Sequence, residues 1–190
     1  DVKQTIFNTY PNPTNGIFII ELGEVAKYDV TVNNVLGQTV LSTITNGINT
    51  TIDLSKLYYK EISNNLLFNF IDYLLWKKEI EKENSYKKIT SFKFTSRSSV
   101  EHYYPQNPKE GFPKLEEEDT LHCLGNICLI SHSKNSSLNN FSPLSKAEFY
   151  LKGEPDSIKQ YLMTQQANNW DAEAIKKHHK EIVLLLQQSI

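Results

Sequence analysis

The sequence predicts an α+β fold, a small antiparallel β segment followed by a mostly helical domain, and three observations carry that expectation. Residues 1–57 are rich in Asn and Thr, with short β-branched runs separated by turn signals. From residue 62 the apolar residues fall at helical spacing instead. Further on, the polar stretch Ser99-Val100-Glu101-His102-Tyr103-Tyr104-Pro105-Gln106-Asn107-Pro108 lies between two runs that read as strands.

Within 1–57, the runs Ile17-Phe18-Ile19-Ile20, 28–32 and 39–41 are the predicted strands, with turns at Asn15-Gly16, Gly37 and Asn46-Gly47. Ile62, Leu66, Leu67, Phe70, Ile71, Leu74 and Leu75 then form one stripe, which predicts an amphipathic helix from about Ser63-Asn64 to Glu83, with Trp76 as a structural residue. A strand is expected over 89–102, ended by Pro105, which cannot continue a ladder. Neighbours on a regular strand face opposite ways, so Glu101 and His102 share a site only if the chain bends there. A loop over 105–120, a second strand over 121–131 and a short helix or turn over 133–140 follow. Ser142-Pro143 reads as an N-cap with proline at the first helical position, and Gly153-Glu154-Pro155 ends that helix. A helix over 157–166 comes next. Asp171 then caps a terminal helix whose apolar face is Ala172, Ile175, His179, Ile182 and Leu186, with His179 as a partly buried core histidine rather than a ligand. His178 and His179 are disfavoured as a metal pair, because helical neighbours point about 100° apart.

At 190 residues with 39% hydrophobic content there is room for one or two domains with an ordinary core, and a net charge of -2 neither attracts nor excludes nucleic acid. Charge is uneven, however. Lys87, Lys88, Lys93 and Arg97 occur in 86–100 without an acid, whereas 116–119 is acidic. The basic stretch leads into Glu101-His102, where a phosphate backbone would lie; the alternative is a solvated face. Cys123 and Cys128, five apart on a predicted strand, should face opposite ways and read as small core residues rather than a disulfide. No apolar run reaches bilayer length and no signal peptide opens the chain. Asp at position 1 raises the expectation of a fragment or processed product.

A carboxylate beside a histidine, with Asn126 and Asn135 downstream, offers oxygen ligands for a hard cation and an imidazole to activate water. Plainer readings exist for each. Glu101-His102 alone is commonly a surface pair, Asn126 follows Gly125 as a turn residue would, His132 competes with Asn135 as a ligand, and His122 has no assigned partner.

Glu101-His102-x-x-Pro105-Gln106-Asn107, then Leu124-Gly125-Asn126-Ile127-x-Leu129-Ile130-Ser131, then Lys134-Asn135-Ser136-Ser137-Leu138-Asn139-Asn140 resembles the C-terminal HNH (His-Me finger) nuclease domain of GmrSD-type, modification-dependent type IV restriction enzymes. The resemblance covers about 62–190, with Lys146 and the helix start Trp170-Asp171-Ala172-Glu173-Ala174-Ile175 as supporting matches. It implies a ββα-metal finger in a metal-dependent DNA endonuclease. His102 would be the general base, Asn126 would accept a hydrogen bond from the imidazole, and Glu101 and Asn135 would hold Mg²⁺ or Mn²⁺. Lys134, Lys146 and Arg97 would touch substrate phosphate. It also implies a ParB-like nucleotide-hydrolysing domain upstream, outside this chain.

The first segment has its own resemblance. Tyr10-Pro11-Asn12-Pro13-Thr14-Asn15-Gly16, Val35-Leu36-Gly37-Gln38 and Ile52-Asp53-Leu54-Ser55-Lys56-Leu57 are similar to the C-terminal sorting domain of type IX secretion cargo in Bacteroidetes. The Gly-x-Tyr strand of that family is missing, and the segment precedes another domain instead of closing the protein. The alternative function is therefore a sorting or adhesive β module fused to an inactive nuclease fragment. Restriction implies the cytoplasm and sorting the exterior, so localisation stays open.

Overall fold

The structure, a computed structural model, describes residues 7–10, 17–33, 39–45, 47–53, 65–166 and 170–188. Five strands come first: β1 (Phe7–Tyr10), β2 (Ile17–Leu22), β3 (Asp29–Asn33), β4 (Thr39–Ile44) and β5 (Asn49–Asp53). They form an antiparallel sheet of order β1-β2-β5 and a separate β3-β4 pair. Alternation explains β2 and β5: Ile20 and Leu22 turn inward from β2 on either side of Glu21, and Thr50 and Ile52 turn inward from β5 between the exposed Asn49 and Thr51. The turns expected at Asn15-Gly16, Gly37 and Asn46, most of the sorting-like motif, and the helix start at 63–64 lie outside the described residues.

Helix α1 (Leu66–Ile80) buries Leu67, Phe68, Phe70, Ile71 and Leu75, and these join Ile20, Leu22 and Ile52 of the β segment in one hydrophobic cluster. Each fully buried side chain of this kind stabilises by about 1.5–3 kcal/mol. Leu66, expected on the stripe, is exposed. Asp72 is buried on the same helix, where its Oδ1 accepts from Ser157 Oγ and from the Lys159 backbone N–H, both at 2.8 Å. Burial pushes its carboxyl up to about 7 against those two donors.

Downstream run α2 (Lys87–Thr90), β6 (Ser99–His102), α3 (Glu118–His122), β7 (Ile127–Ile130), α4 (His132–Leu138), α5 (Pro143–Leu151), α6 (Ile158–Gln165) and α7 (Ala172–Gln187). Two sequence expectations need correction. The strand over 89–102 is only its last turn of residues, because 87–90 is helical. The strand over 121–131 begins at Ile127, because 118–122 forms α3 with Glu118 and Asp119 in its first turn, where acids favour a helix N-terminus. Apolar alternation does not reveal so short a helix. The caps expected at Ser142 and Asp171 form, and Ser157 adds a third: Ser142 Oγ, Ser157 Oγ and Asp171 Oδ1 accept from Ser145, Gln160 and Ala174 N–H. On α7 the inward face runs Ile175, His178, Ile182, Val183, Leu186, so that His178 is the fully buried histidine while His179 is partly buried, as expected. Cys123 and Cys128 are free and buried. No helix among the described residues is long and apolar enough to cross a membrane.

Candidate active site

β6 and β7 form an antiparallel ribbon pairing Ser99 with Ile130, Val100 with Leu129, Glu101 with Cys128 and His102 with Ile127. Pairing stays in register through His102, and the chain bends only after it, at 103–104. The bulge expected at Glu101-His102 is thus not needed. A cavity of about 340 Å³ takes in Val100, Glu101 and His102 together with Pro105, Gln106 and Asn107, so it follows the end of the strand rather than one face. Asn135, Ser136, Asn139 and Asn140 from α4 and its C-terminal turn, and Lys146 from α5, close the other side. Asn139 ends α4 with φ 44°, a conformation asparagine tolerates better than most residues.

Glu101 is 4% exposed and forms an ion pair with Lys146, Oε1 to Nζ 2.6 Å, while Lys146 Nζ also donates to the His102 carbonyl at 2.6 Å. Burial pushes the Glu101 carboxyl up and the Lys146 amine down, each opposed by the charge of its partner. Lys146 is therefore not a free surface lysine for phosphate; it fastens the metal-ligand candidate to the strand. Lys134 and Arg97 are also paired already, with Asp156 Oδ1 at 3.0 and 3.3 Å, and Asp156 Oδ2 accepts from Ser131 N–H.

His102 is 5% exposed. Its Nδ1 lies 2.9 Å from Gln106 Nε2, and its Nε2 lies 2.9 Å from Nδ1 of His122, the last residue of α3. Burial, then the neighbouring His122 and Lys146, pull its pKa down to about 3, which keeps the ring neutral at neutral pH. His122 is the partner that sequence reasoning missed. Glu118 and His122 at i, i+4 could have flagged a helix, but nothing in the spacing ties it to His102 across a loop.

Asn126 does a different job from the one expected. Its Oδ1 accepts from Tyr104 N–H (2.7 Å) and Trp170 Nε1–H (3.2 Å), and its Nδ2 donates to the carbonyls of Tyr104 (3.0 Å) and Leu121 (2.9 Å). The side chain is wholly buried and committed to the bend after β6 rather than to the imidazole. It holds the loop that starts at His102, acting one step removed from the cavity. Beside it, a Cβ on Gly125 would meet Ile175 O at 2.2 Å and His179 N at 2.8 Å, so only glycine lets α7 pack this close. His178 Nδ1 reaches the Gly125 carbonyl at 2.8 Å.

Asn135 donates through Nδ2 to Ser99 Oγ (2.6 Å) and the Val100 carbonyl (3.3 Å), which anchors α4 on β6 and leaves Oδ1 as the atom able to take a cation. Among the described residues no group of three His, Cys, Asp or Glu could hold a metal. The two predicted ligands that the cavity brings together are one carboxylate, Glu101, and one amide oxygen, Asn135 Oδ1, a sparse hard set of the kind that suits an ion keeping most of its ligands as water or phosphate.

A two-stranded ribbon with Glu-His at the end of its first strand, an asparagine-stapled bend and a following helix that presents a further asparagine fits an HNH-type finger within an α+β fold. The chain belongs to the family of the C-terminal domain of GmrSD restriction endonucleases, whose model matches residues 51–184. It is thereby a nuclease domain by family. Residues 8–65 are similar to the secretion system C-terminal sorting domain. No curated protein and no solved structure gives a significant match to the chain.

Proposed function

We propose that this chain is a metal-dependent DNA endonuclease domain that hydrolyses phosphodiester bonds. The observation that carries the reading is the convergence of Glu101, His102 and Asn135 on one polar cavity. The neutral imidazole of His102 takes a proton from the attacking water. Gln106, on its Nδ1, stands where that water would approach and yields to it. The arriving phosphate anion raises the basicity of the ring, since an opposite charge favours the protonated form. Glu101 and the Asn135 Oδ1 would hold Mg²⁺ or Mn²⁺, which would supply electrostatic stabilisation of charge on the phosphate and leaving oxygen. Lys146 keeps Glu101 in place, and Asn126 keeps the bend.

Residues 1–57 and 62–190 are read as two modules that meet at α1, the first a sorting-like β segment. Choice of target, and the dependence on base modification, belong to a ParB-like domain upstream.

The test is cleavage of supercoiled plasmid, unmodified and hydroxymethylated or glucosylated, with Mg²⁺ or Mn²⁺ present or chelated. Metal-dependent nicking should fall by about 10²–10⁴-fold in His102→Ala, the usual contribution of a general base. Equal cleavage by wild type and His102→Ala would remove the imidazole from its role.

A further inference from the structure

The HNH reading uses one histidine, yet two meet here. His102 and His122 stack edge to face, with ring centroids 5.0 Å apart and planes at 89°, and a 2.9 Å contact joins His102 Nε2 to His122 Nδ1. A ring-to-ring contact of this length needs one nitrogen to carry the proton and the other to accept it. Two neighbours decide which. At one end, the Gln106 amide nitrogen faces His102 Nδ1 at 2.9 Å, and an amide N–H can only donate, so Nδ1 holds the lone pair. At the other end, His122 Nε2 faces Glu118 Oε2 at 4.0 Å. The reverse assignment, with Gln106 turned over, would turn a lone pair on His122 Nε2 toward the Glu118 carboxylate, which is beyond hydrogen-bond reach at 4.0 Å but is the less favourable arrangement of charge. A proton on that nitrogen leaves His122 Nδ1 as an acceptor. Both ends therefore agree on His102 Nε2–H donating to His122 Nδ1.

The cavity lies on the other side of the ring. Gln106 and His102 line it and His122 does not, so the nitrogen addressed to the cavity is Nδ1, the one left with its lone pair. We propose that His122 is a positioning residue that fixes the His102 tautomer and ring orientation, holding the proton on Nε2 so that Nδ1 is the basic atom offered to water. The proposal rests on His102 being the base, and it deepens that reading by assigning the atom. His122 does the orienting work that was expected of Asn126. It reaches the site from α3, an element separated from β6 by the 103–117 loop, so that α3 becomes part of the catalytic scaffold.

The experiment uses the full chain with ¹⁵N-labelled histidine and long-range ¹H–¹⁵N spectra at neutral pH. The five histidines are assigned by single substitution, and the plasmid assay is run alongside. Wild-type His102 should show the Nε2–H tautomer with a fixed, unaveraged pair of shifts. In His122→Ala those shifts should move toward the exchange average, and kcat should fall by about ten- to a hundredfold with little change in KM, less than loss of the base itself. His122→Asn, whose amide oxygen can stand in for Nδ1 as an acceptor, should recover the tautomer and most of kcat. A wild-type Nδ1–H tautomer overturns the proposal, as does a His122→Ala protein whose His102 shifts and kcat both match wild type. Should no variant, wild type included, cut DNA, the nuclease reading fails while the spectra still decide the tautomer. Should His122→Ala not fold, the wild-type and His122→Asn spectra decide it.

Discussion

Two buried lysines hold the two strands of the β6–β7 ribbon, and they do so with the same bond. Lys146 of α5 donates to the His102 carbonyl on β6 at 2.6 Å, and Lys159 of α6 donates to the Ile127 carbonyl on β7 at 2.6 Å. Each is 1% exposed. They differ in what else they touch. Lys159 sits beside Met163 Sδ at 3.6 Å, and burial pulls its amine down to about 8, yet its role is that of a structural donor. Lys146 carries the Glu101 carboxylate at 2.6 Å and lines the cavity. One device thus has two uses. On the interior side it caps a carbonyl; on the cavity side it also sets the position of an acidic ligand that the site needs.

Removing each ammonium tests that difference, and the larger effect belongs to the cavity side. Lys146→Met leaves a buried carboxylate without its partner, which should destabilise by about 3–5 kcal/mol and abolish cleavage. Lys159→Met leaves only an unsatisfied carbonyl, at about 1–3 kcal/mol, with cleavage retained in the folded fraction. Urea melts of both variants and of Lys146→Met/Glu101→Gln measure this. The double variant should recover much of the stability of Lys146→Met without recovering activity. Equal losses in the two single variants would erase the distinction between the sides.

Gly125 sharpens the interior half of the comparison. Alanine there must push backbone against backbone, since Ile175 O lies 2.2 Å from the new Cβ. Gly125→Ala should therefore cost about 3 kcal/mol, the upper end of overpacking penalties, and should loosen the Asn126 staple as α7 moves away. A thermal melt reads the first effect. The second appears as lost protection from hydrogen exchange at the Tyr104 N–H, which Asn126 Oδ1 accepts. Unchanged stability would mean that α7 can shift at little cost and that its close approach is incidental.

How much of this was legible in the sequence depends on the range of the interaction. Caps at Ser142 and Asp171 are local, one side chain and an N–H three residues on, and sequence alone locates them. The ribbon and α4 were legible as a motif, and the cavity does gather Glu101, His102 and Asn135. The partners that decide what each residue does were not. Asn126 meets Trp170 across 44 positions, His102 meets His122 across 20, and Lys146 reaches the His102 carbonyl across 44. A spacing rule carries no information about contacts made through tertiary packing. α3 was hidden for a different reason. Its five residues are too few to show a helical period, and its acids sit where a loop would also place them.

The interior side also carries an acid-sensitive element that the cavity side can be compared with. His178 is 4% exposed, bonds the Gly125 carbonyl and packs against Trp170. Burial, chiefly, and nearby Lys159 pull its pKa down to about 3. The unfolded chain takes up a proton near pH 6.5 that folded His178 refuses, so acidification from pH 6.5 toward 3 favours unfolding, and by pH 5 the loss is about 2 kcal/mol. Asp72 acts in the opposite sense. Its carboxyl, raised to about 7 by burial, keeps its proton in the folded chain after the unfolded chain has released it, so its contribution grows as pH falls from 7 toward 4. His178→Asn retains a donor for Gly125 and cannot titrate. Urea denaturation at pH 7.5, 6 and 5 should then show the variant gaining about 2 kcal/mol on the wild type by pH 5, the Asp72 contribution being common to both. Parallel curves for the two proteins would shift the acid sensitivity to His102, and with it to the cavity side of the ribbon.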